Sequence, residues 1–135
     1  MNQSAIAAVG FYAALNMIVL LCLTVATARL RNKYGVLIGS GGIEHLTRTM
    51  RGHANAIENI PMTIILLLTA ALLGMPLAIL HVLGAAFTLG RAIHAWHFIS
   101  EHGPQWQRGI GFGLSGLVTM AALAWVLWAS LRLLF

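Results

Sequence analysis

Charge is what this sequence has least of. Asp, Glu, Lys and Arg make up 8% of its 135 residues, against about 25% in a soluble domain. So little charge excludes a water-soluble globule and points to an integral membrane protein. A single cysteine, Cys22, excludes an internal disulfide and leaves the redox compartment open. It lies in an apolar run and reads as a small buried hydrophobe. Three prolines and the absence of any low-complexity tract or internal repeat give no sign of disorder. No HExxH sequence and no cysteine cluster suggest a metal. The first ten residues, MNQSAIAAVG, lack the basic stretch of a cleaved signal peptide, so the first apolar segment is expected to remain as a span. The formal net charge of +5 comes from basic residues beside apolar segments. It therefore carries no nucleic-acid signature.

What is present is apolar: 59% of residues, with a mean hydropathy of +0.85. Roughly 20 apolar residues cross a bilayer. Four such runs predict a single all-α domain over 1–135, with spans at about 5–28, 52–73, 77–99 and 108–130. Asn16 is the one strongly polar side chain of the first run and is expected to face another helix. The basic segment Ala28 to Lys33 follows, then a glycine-rich loop up to Gly42. Ile43 to Arg51 resumes helical spacing ahead of the second span. Gly74, Met75 and Pro76 form a tight turn, and Ser100 to Gln107 a second loop. Trp96 and Trp106 mark one interface, Trp125 and Trp128 the other. Seven of the eight Lys and Arg residues fall in or beside the first and third connections: Arg29, Arg31, Lys33, Arg48, Arg51, Arg91 and Arg108. Arg132 alone remains for the other side. The positive-inside rule then puts those connections in the cytoplasm and both termini outside it.

The stretch Arg48 to Pro61, RTMRGHANAIENIP, builds polar groups into the end of a span. At 100° per residue, Arg48, Arg51, Asn55 and Glu58 fall within roughly 80° on one helical face. Met50, Ala54 and Ile57 are assigned to the opposite face. An ionised Glu58 at that depth costs about 3 kcal/mol or more without a partner; Arg51, two turns earlier, and Arg48 are the candidates. The same depth holds Arg29 and Arg31 on the first helix, Arg91 and His94 on the third, and Arg108 at the fourth. Many cations with one carboxylate and one amide suit a small ligand bearing carboxylates, an ammonium and peptide bonds. Glutathione fits, though these residues do not select it over another zwitterion. His94, His97, Glu101 and His102 as metal ligands, or a haem between His53 and His81 or His94, are the weaker readings. Gly109, Gly111, Gly113 and Gly116 read as a close-packing helix face. Two other classes stand beside a ligand site: a structural or regulatory membrane subunit, and a small four-helix transporter using Glu58 as its acid.

The run R-x-H-x-N-x-x-E-x-x-P at Arg51, His53, Asn55, Glu58 and Pro61 resembles the signature of the MAPEG family, the membrane-associated proteins in eicosanoid and glutathione metabolism. G-R-x-x-H at Gly90, Arg91 and His94, and an arginine opening the fourth helix, Arg108, extend the resemblance. Gly41, Gly42, Glu44 and Leu46 bring it nearest to the small bacterial, YecN-like branch. The resemblance implies a homotrimer of four-helix subunits in a bacterial inner membrane. It implies glutathione as co-substrate at a site open to the cytoplasm, and an apolar electrophile or lipid hydroperoxide arriving from the membrane lipids. It assigns ligand binding to Arg51, Asn55, Glu58, His94 and Arg29 or Arg31, and thiolate stabilisation to Arg108. Phe98 and Asn59 stand where some members have Tyr, and Gly109 where some prostaglandin synthases have Ser. These departures point away from eicosanoid synthesis and toward glutathione transferase or peroxidase chemistry.

Overall fold

The structure, a computed structural model, describes residues 3–135 as four helices: α1 (Gln3–Tyr34), α2 (Glu44–Leu72), α3 (Leu77–Ile99) and α4 (Gln105–Leu134). Each is long and apolar enough to cross a membrane. α1 runs six residues beyond its apolar stretch. Arg29 to Tyr34 therefore continue the helix into the headgroup region, where long cationic side chains are solvated. α2 is continuous from Glu44, so the polar stretch and the second span form one rod of about 43 Å. Pro61 lies inside it and removes one hydrogen bond without ending the helix. α1 and α2 stop in the same way. Gly35 (φ 65°) and Gly74 (φ 85°) take the left-handed conformation. The amides of Val36 and Met75 then reach back to the carbonyls of Arg31 (3.0 Å) and Ala70 (2.9 Å).

Helices in lipid gain little from hydrophobic burial against one another, so close packing and hydrogen bonds hold them together. α3 packs most extensively on α4, while α1 lies against α2 and α3 and does not reach α4 among the described residues. One core cluster gathers Ala5, Val9, Leu67, Ala70, Ala71, Met75, Leu80 and Ala122; a second gathers Leu23, Ala56, Ile60, Phe87, Ala95 and Val118. Small residues set the spacing. A Cβ on Gly84 would stand 2.2 Å from the Tyr12 ring, and one on Gly52 2.5 Å from Phe98. One on Gly111 would stand 2.6 Å from the His94 backbone nitrogen. The expected glycine face of α4 is thus narrower than its sequence implies. Only Gly111 of the four makes a close approach; Gly109, Gly113 and Gly116 have nothing within 4 Å.

Polar side chains inside the spans find partners across helices. Asn16 is fully buried and donates from Nδ2 to Thr88 Oγ1 of α3 at 2.8 Å. Tyr12 hydroxyl meets His81 Nδ1 at 3.1 Å near the opposite end of α3 from the site. Cys22, expected to be buried, is exposed on the outer face of α1. An apolar run fixes that a residue sits in the membrane, not that it faces the bundle, and lipid accepts a thiol as readily as a core does.

Candidate functional site

The sharpest polar convergence lies at the Arg48 end of α2. A cavity of about 570 Å³ opens there between α2, α3 and α4. α2 contributes Thr47, Arg48, Arg51, Ala54, Asn55 and Glu58; α3 gives His94 and Phe98; α4 gives Arg108, Gly109 and Phe112. This volume is in the range of small-ligand sites. The helical period explains the α2 set, since Arg48, Arg51, Asn55 and Glu58 recur at every third or fourth residue. Ala54, assigned to the opposite face, lines the cavity with them. At 100° per residue it lies only 40° from Glu58, so the two belong to one wide stripe.

Charges in and around the cavity divide into engaged and free. Arg48 donates from Nη1 to the Glu101 carbonyl (2.6 Å) and from Nη2 to the His97 carbonyl (3.2 Å). His45 Nε2 donates to the Ile99 carbonyl at 2.9 Å, and Thr49 Oγ1 lies 3.0 Å from the Phe98 carbonyl. Arg48 and His45 thereby satisfy carbonyls left open at the end of α3, and the Thr49 hydroxyl is shared between the Phe98 carbonyl and that of His45 in its own helix (2.9 Å). Arg51 and Glu58 are exposed on the cavity side and make no ion pair with each other or with Arg48. The expected Arg–Glu pair within α2 is therefore not formed. Seven residues of helix separate Arg51 and Glu58 by about 10 Å, and Arg48 is turned toward α3. Both Arg51 and Glu58 remain available to a ligand.

Arg91, one of the cations expected at this depth, lies outside the cavity lining and organises the site from behind. It is 2% exposed and donates from Nη2 to Asn55 Oδ1 at 2.9 Å, while its Nε has no partner. Its signal in the sequence is an arginine in an apolar helix, one turn before His94. His94 is buried, with its ring against Phe98 at 4.9 Å between centroids and its Nδ1 unpartnered. Phe98 occupies the cavity wall with a ring and no hydroxyl.

Arg108 lies in the first turn of α4, exposed to the cavity. A cation there faces the positive end of the helix dipole, which disfavours it by about 0.3–1 kcal/mol. No acidic residue shares that turn. Such a placement suits binding an anion better than stabilising a helix.

Arg29 and Arg31 are not in this cavity. Arg31 Nη1 donates to the carbonyls of Val36 (3.3 Å) and Leu37 (3.0 Å), and Nη2 lies 3.5 Å from Met50 Sδ. Arg29 borders a separate apolar groove with Cys22 and Ile99 and has no hydrogen bond among the described residues. His53 of the same motif faces α1, with Nε2 3.0 Å from Thr24 Oγ1. Among the described residues no cluster of three His, Cys, Asp or Glu side chains could hold a metal ion.

Comparison with known proteins shows the family. The profile of the MAPEG family matches residues 9–128. Inner membrane protein YecN of Escherichia coli strain K12 is 34% identical over 89 residues, 66% of this chain and 68% of that protein. The same figures hold for inner membrane protein YecN of Escherichia coli O6:H1 strain CFT073. With four membrane-crossing helices and a family match over nearly its whole length, this chain is a four-helix integral membrane protein of the MAPEG family.

Proposed function

We propose that the cavity between α2, α3 and α4 binds glutathione, and that the protein uses the bound thiolate against apolar electrophiles as a glutathione transferase or peroxidase. One observation carries this reading: Arg51, Asn55, Glu58, His94 and Arg108, drawn from three helices, line a single cavity. Glu58 pairs with the γ-glutamyl ammonium, Arg51 with a carboxylate, and Asn55 donates to a carbonyl or carboxylate oxygen. Arg108 stabilises the sulfur. A free thiol has a pKa of about 8.5, and a neighbouring guanidinium lowers it. Arg108 stays charged at working pH, so it acts as an electrostatic clamp and not as a base.

In the transferase reaction the thiolate sulfur bonds to an electrophilic carbon and the leaving group departs with its electron pair. In the peroxidase reaction the sulfur takes the terminal oxygen of a hydroperoxide and releases the alcohol. A second glutathione then gives glutathione disulfide and water.

The exposed Arg51 and Glu58 on a membrane-depth helix face favour a covered site, as in a homotrimer with glutathione between subunits. A neighbouring copy would supply Arg29, whose guanidinium is unengaged, in preference to Arg31. The charge distribution supports a bacterial inner-membrane orientation with both termini outside the cytoplasm and the cavity facing it. Calorimetric titration of the detergent-solubilised protein with glutathione tests the reading. Saturable binding is expected, and no heat at millimolar glutathione removes it.

A further inference from the structure

The connection between α1 and α2 carries two of the most exposed aliphatic side chains in the protein. Leu37 and Ile38 are each 92% exposed. Exposed leucines on the spans suit lipid tails or a neighbouring copy, but these two sit in a loop beyond the uncharged run of α1.

That loop is braced. Gly35 turns it back on α1, and Arg31 Nη1 ties the carbonyls of Val36 and Leu37. The Ile43 amide closes a turn on the Ser40 carbonyl at 3.0 Å. Gly41 (φ 58°) and Gly42 (φ 75°) inside that turn both require the left-handed conformation. A Cβ on Gly41 would stand 2.8 Å from Val36 Cγ2. The backbone therefore holds Leu37 and Ile38 outward on a fixed tip.

The brace also sets the depth. The Arg31 guanidinium that holds the loop also touches Met50 of α2 at 3.5 Å. Met50 is three residues, about 4.5 Å of helix, from His53. His53 contacts Thr24, inside the uncharged run of α1, at 3.0 Å. The tip is thus held back against the end of α1, one helical turn of α2 from the uncharged run. Trp96 and Trp106 are exposed at the same end of the bundle, where interfacial aromatic side chains are enriched. Arg29 and Lys33 are exposed beside it, against one exposed acid, Glu44, at the far side of the loop. Interfacial segments combine apolar side chains with such cations.

We propose that Leu37 and Ile38 form an interfacial anchor, inserted between headgroups and acyl chains of the leaflet at the arginine-rich end, with Arg29 and Lys33 against lipid phosphates. The anchor stands whether or not the cavity binds glutathione. Each aliphatic side chain of this size favours an apolar phase by about tenfold or more.

Nitroxide labels report depth directly. In a Cys22→Ser background, Leu37→Cys, Ile38→Cys and Glu101→Cys are labelled separately, and the protein is placed in vesicles of phosphatidylethanolamine and phosphatidylglycerol. Power saturation then compares collisions with oxygen, which concentrates in the bilayer, and with a water-soluble nickel chelate. The expected result is oxygen-dominated relaxation at 37 and 38, and nickel-dominated relaxation at 101, in the other exposed turn at this end. Nickel-dominated relaxation at 37 and 38 overturns the anchor. Protection from both relaxants, with dipolar broadening that disappears on dilution with unlabelled protein, places a second copy on the tip and also overturns it. Two adjacent labelling positions guard against one variant failing to insert, since neither side chain packs on the bundle.

Discussion

Removing the acceptor of a buried guanidinium should cost more while the guanidinium is present than after it has been removed. Asn55 Oδ1, at 2.9 Å from Nη2, is the only side-chain hydrogen-bond partner of Arg91 among the described residues, and Arg91 is 2% exposed. In Asn55→Ala the charge stays buried with that bond lost. A hydrogen bond to a charged group is worth about 1.5–3 kcal/mol, and stranding a buried charge costs more than severing a neutral pair. Polar couplings in membrane proteins average only about 0.6 kcal/mol, because separated helices find other partners. A deeply buried charge with a single such partner belongs above that average, so a loss of about 1.5–3 kcal/mol is expected. In Arg91→Met the charge is gone and the half-buried Asn55 amide can turn to the cavity. Adding Asn55→Ala to Arg91→Met should therefore cost about 0.5 kcal/mol or less, within the scatter of independent sites. Reversible unfolding in mixed detergent micelles with increasing dodecyl sulfate, followed by circular dichroism, yields all four corners of this cycle. An equal cost of Asn55→Ala in both backgrounds would refute the reasoning, since the pair would then be uncoupled.

Other perturbations separate ligand residues from packing residues. Glu58→Gln keeps shape and removes the charge facing the ammonium; calorimetry should show glutathione affinity lowered by about ten- to a hundred-fold. Arg108→Ala should lower turnover by about a hundred-fold and abolish the ultraviolet thiolate absorbance that appears on adding glutathione near neutral pH, with Arg108→Lys recovering part. If the absorbance persists in both variants, Arg108 is only a topology anchor. Gly111→Ala should destabilise the bundle, since its Cβ would meet backbone of α3 at 2.6 Å, whereas Gly113→Ala should be tolerated in the same unfolding assay. A reporter active only in the cytoplasm, fused after Phe135, should stay silent if both termini lie outside.

Membrane class and helix number were legible because they depend on composition and length alone. The α2 face was legible because Arg48, Arg51, Asn55 and Glu58 follow one helical period within one rigid element. What the sequence hid depends on which helix meets which. Nothing in the order of residues says that Arg31 turns to its own loop while Arg29 stays free. Nor does it say that Arg48 caps α3 and leaves Glu58 without an ion-pair partner. The surroundings of Cys22 and Ala54 differ from those their sequence suggests for a related reason. In an apolar helix lipid and bundle faces look alike, and a small residue beside a polar stripe carries no sign of its own. Arg91 had a signal, a charge in an apolar helix, but its link to Asn55 crosses from α3 to α2.

The capped end of α3 has a mechanical consequence for Arg108. His97 Nδ1 donates to the Pro104 carbonyl at 3.0 Å, so the start of α4 is tied to an α3 end that α2 already grips. Two turns later Gly111 lies directly on the α3 backbone. Arg108 sits between these two fixed points. Its main chain has no room to drift toward or away from the cavity, and the reach of its guanidinium is set by its own torsions. A shift of α3 would therefore carry the Arg108 backbone with it. Lengthening the Gly103–Pro104 turn by one residue would free it, without altering a single group that faces the cavity.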